Sequence, residues 1–370
     1  MYYKNKEIKS DLRIFLAIVA TLIIIGLIFI YSASSVYAAE QFGSPHFFIK
    51  KQFLGLLLSI ICFIIIQCIP FEWVKKLSPL FFIVTVIMTA LTTLPSLTRT
   101  IHGSSRWLKI FGYAFQPSEF LKIPFILYLS YFLTKKKNAI NSLSHTFLPF
   151  LIIITIPSLI LLKQPDFGTT VTLITTSFFL LFISGMSVTI LLSFGAALLP
   201  FIFLLIYLKP YRLKRITTFL NPWADPQGAG FQIIQSLIAF GSGHFWGKGI
   251  SQSQQKFFYL PMQHTDFIVS IIAEETGFIG LFFLILLYIL FLYFGLKISS
   301  HLTDHFSKLA TTGFVLLISL QTAINIAVAT GVAPTKGMGL PFISYGNSAL
   351  LATVIMISLI VKMVRHNFYK

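Results

Sequence analysis

Residues 14–34 read IFLAIVATLIIIGLIFIYSAS, an unbroken apolar run without a single charge. As a helix rising about 1.5 Å per residue, such a run is as long as the hydrocarbon core of a bilayer is thick, about 30 Å. Lys4, Lys6, Lys9 and Arg13 precede it, and the small residues Ser32, Ala33 and Ser34 close it. Basic start, apolar core and small residues also make a secretion signal, but the run is longer than a signal core and many similar runs follow. It therefore reads as a first transmembrane helix. Working outward, nine more candidate spans lie near 52–69, 78–95, 118–134, 147–163, 167–185, 188–208, 266–296, 308–330 and 346–364. The expected fold is all-α: one polytopic membrane domain over 1–370, with ten transmembrane helices and one large extracytoplasmic loop, 209–265. Only helices and closed barrels satisfy the backbone inside lipid, and the alternating pattern of a barrel strand is absent.

Composition agrees. Of 370 residues, 56% are hydrophobic and 11% charged, with a mean hydropathy of +0.85; soluble domains keep roughly a quarter of their residues charged. The net charge of +17 would suit nucleic acid if it lay on one soluble face. Here Lys and Arg fall between apolar runs, so membrane topology and anionic lipid or substrate explain them, and nucleic acid is excluded. Cys62 and Cys68 share one apolar run but not one helical face, and read as ordinary thiols.

Outside the long 209–265 segment, short loops on the side of the N-terminus hold the larger share of Lys and Arg, which places both termini in the cytoplasm. Loops 96–117, 209–265 and 331–345 then lie outside and could converge over one cavity. The long loop is too rich in Phe, Gly and Trp for a solvated linker; short helices on the membrane surface or folded onto the bundle are expected there.

The chain has only 11 acidic residues, and ionisable groups in spans face a cavity or a partner. Pro117-Ser118-Glu119 opens the fourth span, and Glu119 and Lys122 share a helical face. They form either a structural ion pair or a cavity-lining one. Asp266 is expected to open the eighth span at the outer boundary, where an acid also suits a helix N-terminus. On a continuous helix Ser270 and Glu274 would follow it on nearly one face.

Arg99, Arg106, Lys109, Arg212, Lys214 and Arg215 gather near the outer face, able to clamp a diphosphate or lipid head groups. Trp107 and Trp223 suit a sugar ring or the interfacial belt. The run Ser242 to Gly249 misses a phosphate loop at both ends. His301 and His305 lack further zinc ligands, and no nucleophile elbow is present.

Several stretches together resemble one family. Phe219-Leu220-Asn221-Pro222-Trp223-Ala224-Asp225-Pro226, Gly230-Phe231-Gln232, Gln235 to Gly241 and Gly247-Lys248-Gly249 resemble the large outer loop of the SEDS proteins, the FtsW/RodA/SpoVE-like family. His264-Thr265-Asp266-Phe267, Glu274-Glu275-Thr276-Gly277, Pro334-Thr335-Lys336-Gly337 and Leu340 to Gly346 continue it in order. Gln116-Pro117-Ser118-Glu119 and Gly103-Ser104-Ser105-Arg106-Trp107 fit as well. Thr335-Lys336-Gly337 and the Asp225-Pro226 context look more like the division branch, FtsW, than the elongation branch, RodA. Met262-Gln263 stand where the family usually has Glu and a small or basic residue, and Asn347 where it usually has Gly.

The resemblance implies a peptidoglycan glycosyltransferase of the bacterial inner membrane, active at its outer face and at the division septum. It would polymerise lipid II, an undecaprenyl-diphosphate-linked disaccharide pentapeptide, beside a class B penicillin-binding protein, other divisome proteins and membrane lipids. Asp266 is then the essential carboxylate. Arg106, Trp107, Lys109, Ser118, Glu119, Lys122, Arg212, His264, Ser270, Glu274, Lys336 and Ser344 are the expected substrate-binding residues. No cofactor is required by this reading, although a divalent cation, Mg or Mn, could sit at Asp266. The other readings are a RodA-like elongation polymerase, a lipid II flippase, and a scaffold that only activates its partner.

Overall fold

The computed structural model describes residues 2–94, 98–101, 104–110, 113–207, 210–257, 260–261 and 263–368. Among the described residues the regular secondary structure is helical, apart from one small sheet. The long helices are α1 (Tyr2–Phe42), α2 (Phe47–Cys68), α4 (Ser78–Leu91), α5 (Pro117–Lys135), α6 (Leu148–Lys163), α7 (Phe167–Ile183), α8 (Val188–Tyr207), α11 (Ile268–His301), α12 (His305–Ala329) and α13 (Asn347–Phe368). A short α3 (Phe71–Lys76) links α2 to α4, and α9 (Pro210–Leu220) and α10 (Phe231–Gly243) lie between α8 and α11. Each expected span is therefore occupied by a helix. Six helical stretches, Lys6–Phe42, Phe47–Cys68, Leu143–Lys163, Ile268–His301, His305–Ala329 and Asn347–Phe368, are long and apolar enough to cross a membrane by length and composition. Ser78–Leu91, Phe167–Ile183 and Val188–Ala197 are shorter apolar helices. Chain and fold are those of a helical membrane protein.

Position in the bundle explains which helices tolerate polar residues. On α2 most large side chains, Leu57, Ile61, Ile64 and Ile65 among them, face outward toward the lipid, as does Cys68, while Cys62 is half-buried. By contrast α5 packs against α4, α7, α12 and α13. A helix shielded by protein need not be apolar all round, so Ser118, Lys122 and Ser130 are buried there beside Leu121, Phe125 and Ile126.

The segment 96–117 adds what hydropathy does not reveal: a three-stranded antiparallel sheet, β1 (Thr98–Ile101), β2 (Ser104–Ile110) and β3 (Tyr113–Phe115), ordered β1-β2-β3. Arg99 pairs with Trp107, and Leu108 with Phe115. In the long loop, α10 folds back against α11.

The eighth span is not one regular helix. Gly277 breaks α11 with φ 65° and ψ −164°, a region open essentially to glycine alone. The break is repaired by the segment after α10. Lys248 N–H donates to Glu274 O at 3.0 Å and Gly249 N–H to Glu275 O at 3.0 Å, while Phe278 N–H donates to His244 O at 3.0 Å and Ile279 N–H to Phe245 O at 3.3 Å. Two carbonyls before the break and two amides after it are thus paired, as irregular backbone within a membrane bundle requires. A Cβ on Gly277 would lie 2.3 Å from Gly247 N. Gly277→Ala should therefore destabilise the protein by about 3 kcal/mol or more, read as a lowered thermal midpoint in detergent. Gly241→Ala on α10, where a Cβ meets nothing within 4 Å, should leave that midpoint unchanged or raise it.

Candidate functional site

The site forms where β2, the α6–α7 turn, α9, the turn before α11 and the α12–α13 loop meet at one end of the bundle. It is built from backbone clamps. Tyr345 N–H donates to His264 O at 2.9 Å, and Ser344 Oγ accepts from Leu340 N–H at 2.7 Å and donates to Thr265 O. Asn325 on α12 is 2% exposed; its Nδ2 donates to Asp266 O at 2.9 Å and to Met338 O at 2.7 Å. One helical turn earlier, Gln321 Nε2 donates to Gly339 O at 3.0 Å. These bonds fix Asp266 opposite Gly337: a Cβ on Gly337 would lie 3.6 Å from Asp266 Oδ2 and 3.7 Å from Arg106 Nη1.

Arg106, projecting from β2, is oriented by the α6–α7 turn. Its Nε donates to Gln164 O at 3.0 Å, its Nη2 to Pro165 O at 2.5 Å, and its Nη1 lies 3.7 Å from Asp166 Oδ1. That turn is in turn tied to α4 through Gln164 Nε2, which donates to Thr89 O at 2.8 Å and to Thr92 Oγ1. Asp166 is 1% exposed and caps α7 through Thr169 N–H. Arg215 on α9 donates from Nη1 to Thr335 O at 2.9 Å, and the neighbouring Lys336 lies 5.3 Å over the Phe167 ring.

Among the described residues the Asp266 carboxylate has no ion pair within 4.0 Å and no side-chain hydrogen bond. Burial pushes its pKa up to about 6, against the pull of the Arg106 and Arg215 charges and with a push from Asp166. Burial, then the Arg215 charge, lowers the pKa of Lys336. The arrangement is a half-buried carboxylate able to take a proton near neutral pH, rimmed by cations able to hold an anion.

The other expected residues divide around this point. Arg106 and Asp266 both face Gly337, the adjacent Lys336 turns to Phe167, and Ser344 supports the backbone before Asp266 through Thr265 O. Trp107, half-buried, follows Arg106 on β2, and consecutive strand residues point to opposite faces. For Lys109 and Arg212 only the backbone position is described, and Met262 lies outside the described residues. His264 packs its ring against Phe48, with centroids 4.5 Å apart, and beside Tyr37 and Tyr345, each at 5.8 Å; burial lowers its pKa to about 4. Deeper in the bundle, Lys122, 1% exposed, is held by Glu119 Oε2 at 2.8 Å and Gln321 Oε1 at 3.1 Å. Ser118 Oγ accepts from Gln116 Nε2 at 3.3 Å. Glu119 and Lys122 do form the ion pair their spacing allows, and it steadies the same Gln321 that holds Gly339.

Ser270 and Glu274 do not share a face with Asp266, and their expected place beside it is corrected. The helix begins at Ile268, so Asp266 sits in the preceding turn and helical spacing does not extend back to it. Ser270 Oγ lies 2.6 Å from Ser236 Oγ on α10. Glu274, 0% exposed, accepts from Lys248 Nζ at 2.8 Å, Ser253 Oγ at 2.5 Å, Gln254 N–H at 3.1 Å, Gln255 N–H at 3.2 Å and Ser242 Oγ at 3.2 Å. Its carboxylate is saturated and anchors the long loop. Next to it Glu275 meets Ser32 Oγ at 2.6 Å and Lys256 Nζ at 3.7 Å.

Sequence reading missed Asp166, Asn325 and Gly337. Asp166 falls between the expected spans 147–163 and 167–185, and its acidity in so acid-poor a chain is a usable signal; Asn325 is a polar residue within the expected span 308–330, with no spacing signal of its own. No group of three or more His, Cys, Asp or Glu side chains that could hold a metal is present among the described residues. Asp266 feels the Arg106 and Arg215 charges and, beside them, the Asp166 carboxylate, two carboxylates where a divalent cation takes six or more oxygen ligands.

If Glu274 anchors the loop, Glu274→Gln should keep the fold but lose the charge-assisted bond to Lys248, costing about 1–3 kcal/mol. Limited proteolysis should then cut within 248–256 faster than in the parent protein, and an unchanged cleavage rate would remove the anchor role.

Residues 12–369 match the family described as cell cycle protein, FtsW/RodA/SpoVE. The chain is 40% identical over 351 residues to the probable peptidoglycan glycosyltransferase FtsW of Trichlorobacter lovleyi, covering 95% of this chain and 92% of that one. It is 37% identical over 365 residues to stage V sporulation protein E of Bacillus subtilis, covering 99% and 100%. Among solved structures, a chain of the study "Structural coordination of polymerization and crosslinking by a peptidoglycan synthase complex" superposes with a TM-score of 0.80 at 28% identity, covering 96% and 98%. The rod shape determining protein RodA of Thermus thermophilus superposes at 0.69 with 21% identity, covering 96% of each chain, which shows the shared fold.

Proposed function

The chain belongs to the FtsW, RodA and SpoVE family, and from that premise we propose that it is a peptidoglycan glycosyltransferase which polymerises lipid II into glycan strands during cell division. The one observation that carries the chemistry is the half-buried Asp266 carboxylate, without an ion pair within 4.0 Å among the described residues and acted on by the Arg106 and Arg215 charges. Joining sugars from a lipid diphosphate needs a base for the acceptor hydroxyl and positive charge for the departing diphosphate. Asp266 suits the first role. Lys336 and Arg215 suit the second, with inversion at the anomeric carbon. The reading places the site at the outer face of the bacterial inner membrane, both termini in the cytoplasm and the protein at the septum. It also takes a class B penicillin-binding protein as partner, in keeping with the likeness to a chain of a peptidoglycan synthase complex.

Flippase activity has less support: Lys122, Glu119 and Glu274, the buried polar groups that would line a transport path, are each engaged by protein partners. Purified chain, with its partner if required, should form glycan polymer from lipid II in detergent, where there is no second compartment. Asp266→Asn should lower the rate by about a thousandfold or more while retaining the parent's thermal midpoint. Polymer at the parent rate from that variant would remove Asp266 from the chemistry.

The acid side of the pH profile is a separate check. A base works as the carboxylate, so activity is present above its pKa and lost as pH falls through it. With Asp266 raised to about 6 by burial, kcat/KM should fall about tenfold per pH unit below that value. A profile flat down to pH 5 would contradict the assignment.

A further inference from the structure

Two polar cross-links between α1 and α11 mark the depth of a bilayer on the protein. At one end Lys297 Nζ donates to Asp11 Oδ1 at 2.9 Å, and at the other Ser32 Oγ donates to Glu275 Oε1 at 2.6 Å. Between them neither helix holds a charge, over 14–31 in α1 and 278–296 in α11. At about 1.5 Å per residue the cross-links stand about 31 Å apart along α1 and about 33 Å apart along α11, close to the roughly 30 Å of a hydrocarbon core. The apolar stretch of α11 begins directly after Gly277, so the helix breaks where the hydrocarbon ends.

The segment after α10 is bonded to that break. Phe278 N–H donates to His244 O and Ile279 N–H to Phe245 O, which sets the backbone of 244–246 level with the first residues of the apolar stretch. Its side chains continue the outer surface of α11 as one strip of rings. Centroids of Phe245 and Trp246 are 5.5 Å apart, those of Phe245 and Phe278 5.7 Å, of Phe278 and Phe282 6.4 Å, and of Phe282 and Phe283 6.0 Å. The four Phe side chains are more than half exposed, and Trp246 is 78% exposed.

We propose that Phe245 and Trp246 are a lipid anchor, seated in the boundary between headgroups and acyl chains on the side of the bilayer that carries Asp266. The strip runs unbroken from the loop onto the lipid-facing side of α11, so the lipid that covers Phe282 and Phe283 also reaches Phe278 and Phe245. Contiguous apolar surface of this kind marks a contact with membrane or protein when it is found on a loop. Trp suits the top of the strip, because its ring is apolar while its N–H can reach headgroups or water. The turn beyond it is fixed: Gly247 has φ 82°, and the Lys248 and Gly249 amides hold Glu274 O and Glu275 O. The anchor thus adds a contact with the bilayer to the ties that hold the long loop on α11, and sets the height of that loop over the membrane whatever chemistry Asp266 performs.

Trp246 fluorescence in bilayers tests this. The full chain is placed in phosphatidylcholine vesicles whose acyl chains carry bromine either near the headgroup or near the chain end. The emission of Trp246→Phe, which keeps an aromatic ring, is subtracted from that of the parent. Should Trp246→Phe lower the thermal midpoint, a chain carrying Trp73→Phe, Trp107→Phe and Trp223→Phe reads Trp246 directly. Bromine near the headgroup, within the roughly 10 Å that an interfacial anchor penetrates, should quench Trp246 by about half or more. Bromine near the chain end should quench it less, and aqueous iodide should barely reach it. Quenching by iodide and not by brominated lipid would overturn the anchor by placing the ring in water. Stronger quenching from the chain end would overturn the boundary position. Protection from both quenchers would overturn lipid as the occupant in favour of a second copy of this chain. Added class B penicillin-binding protein decides the last alternative: quenching by lipid that persists supports the anchor, and quenching that disappears assigns the strip to that partner and overturns it.

Discussion

Everything at the site depends on the bonding of two irregular segments, 263–267 and 336–345, to each other and to α12. Neither segment is helical, so neither satisfies all of its own backbone, and polar groups left unpaired at a buried boundary are costly. Their solution is mutual: His264, Thr265 and Asp266 offer carbonyls, and Tyr345, Ser344 and Asn325 supply donors. Asn325 is the centre of this arrangement because one amide group bridges both segments at once. The position of the Asp266 carboxylate relative to Gly337 follows from that bridge, since side-chain placement is only as exact as the backbone that carries it.

A second layer of the same logic holds the long loop. The break at Gly277 exchanges helix hydrogen bonds for bonds to the 244–249 segment, and the adjacent acids Glu274 and Glu275 each capture a lysine of that loop, Lys248 and Lys256. Buried ion pairs of this kind contribute little net stability relative to apolar packing, but removing one partner is severe. Their effect here is registry: two adjacent carboxylates, aimed at two lysines eight residues apart in sequence, admit one path for the loop over the broken helix. Glu119, Lys122 and Gln321 perform the comparable task inside the bundle, joining α5 to α12 beneath the loop that carries Gly337.

The helical architecture was legible because it rests on a simple requirement, apolar length against bilayer thickness, and the run from Ile14 to Ser34 already carries it. The meeting of the outer segments was partly legible: Arg106 and Asp266, from two of the loops expected outside, both face Gly337 of the third. Helical spacing misled where it was extended across a boundary. Asp266 is two residues before the first helical residue, so the angle relating it to Ser270 and Glu274 has no meaning, and Glu274 looks toward the long loop. The β-sheet over 98–115 is short, and its pairing of Arg99 with Trp107 is a tertiary fact with no strong periodic trace. Gly337 was visible as a letter in a motif, but its significance is the pair of atoms its absent side chain would face, which only the folded chain brings together.

Comparing the buried acids separates scaffold from chemistry. Asp11 meets Lys297, Glu119 meets Lys122, Asp166 meets Arg106, Glu274 meets Lys248 and Glu275 meets Lys256, each within 4.0 Å. Each of these carboxylates has a basic side chain as a fixed neighbour. Asp266 alone among the buried acids lacks a cation at that range within the described residues, although Arg106 Nη1 also faces Gly337. Asn325, Gln321 and Ser344 fix the backbone of Asp266 and of the loop opposite it by directed bonds. A carboxylate held in place without an ion partner from the fold is one whose missing interactions a bound group can complete, which is the condition under which binding energy is spent on the reacting atoms instead of on the fold.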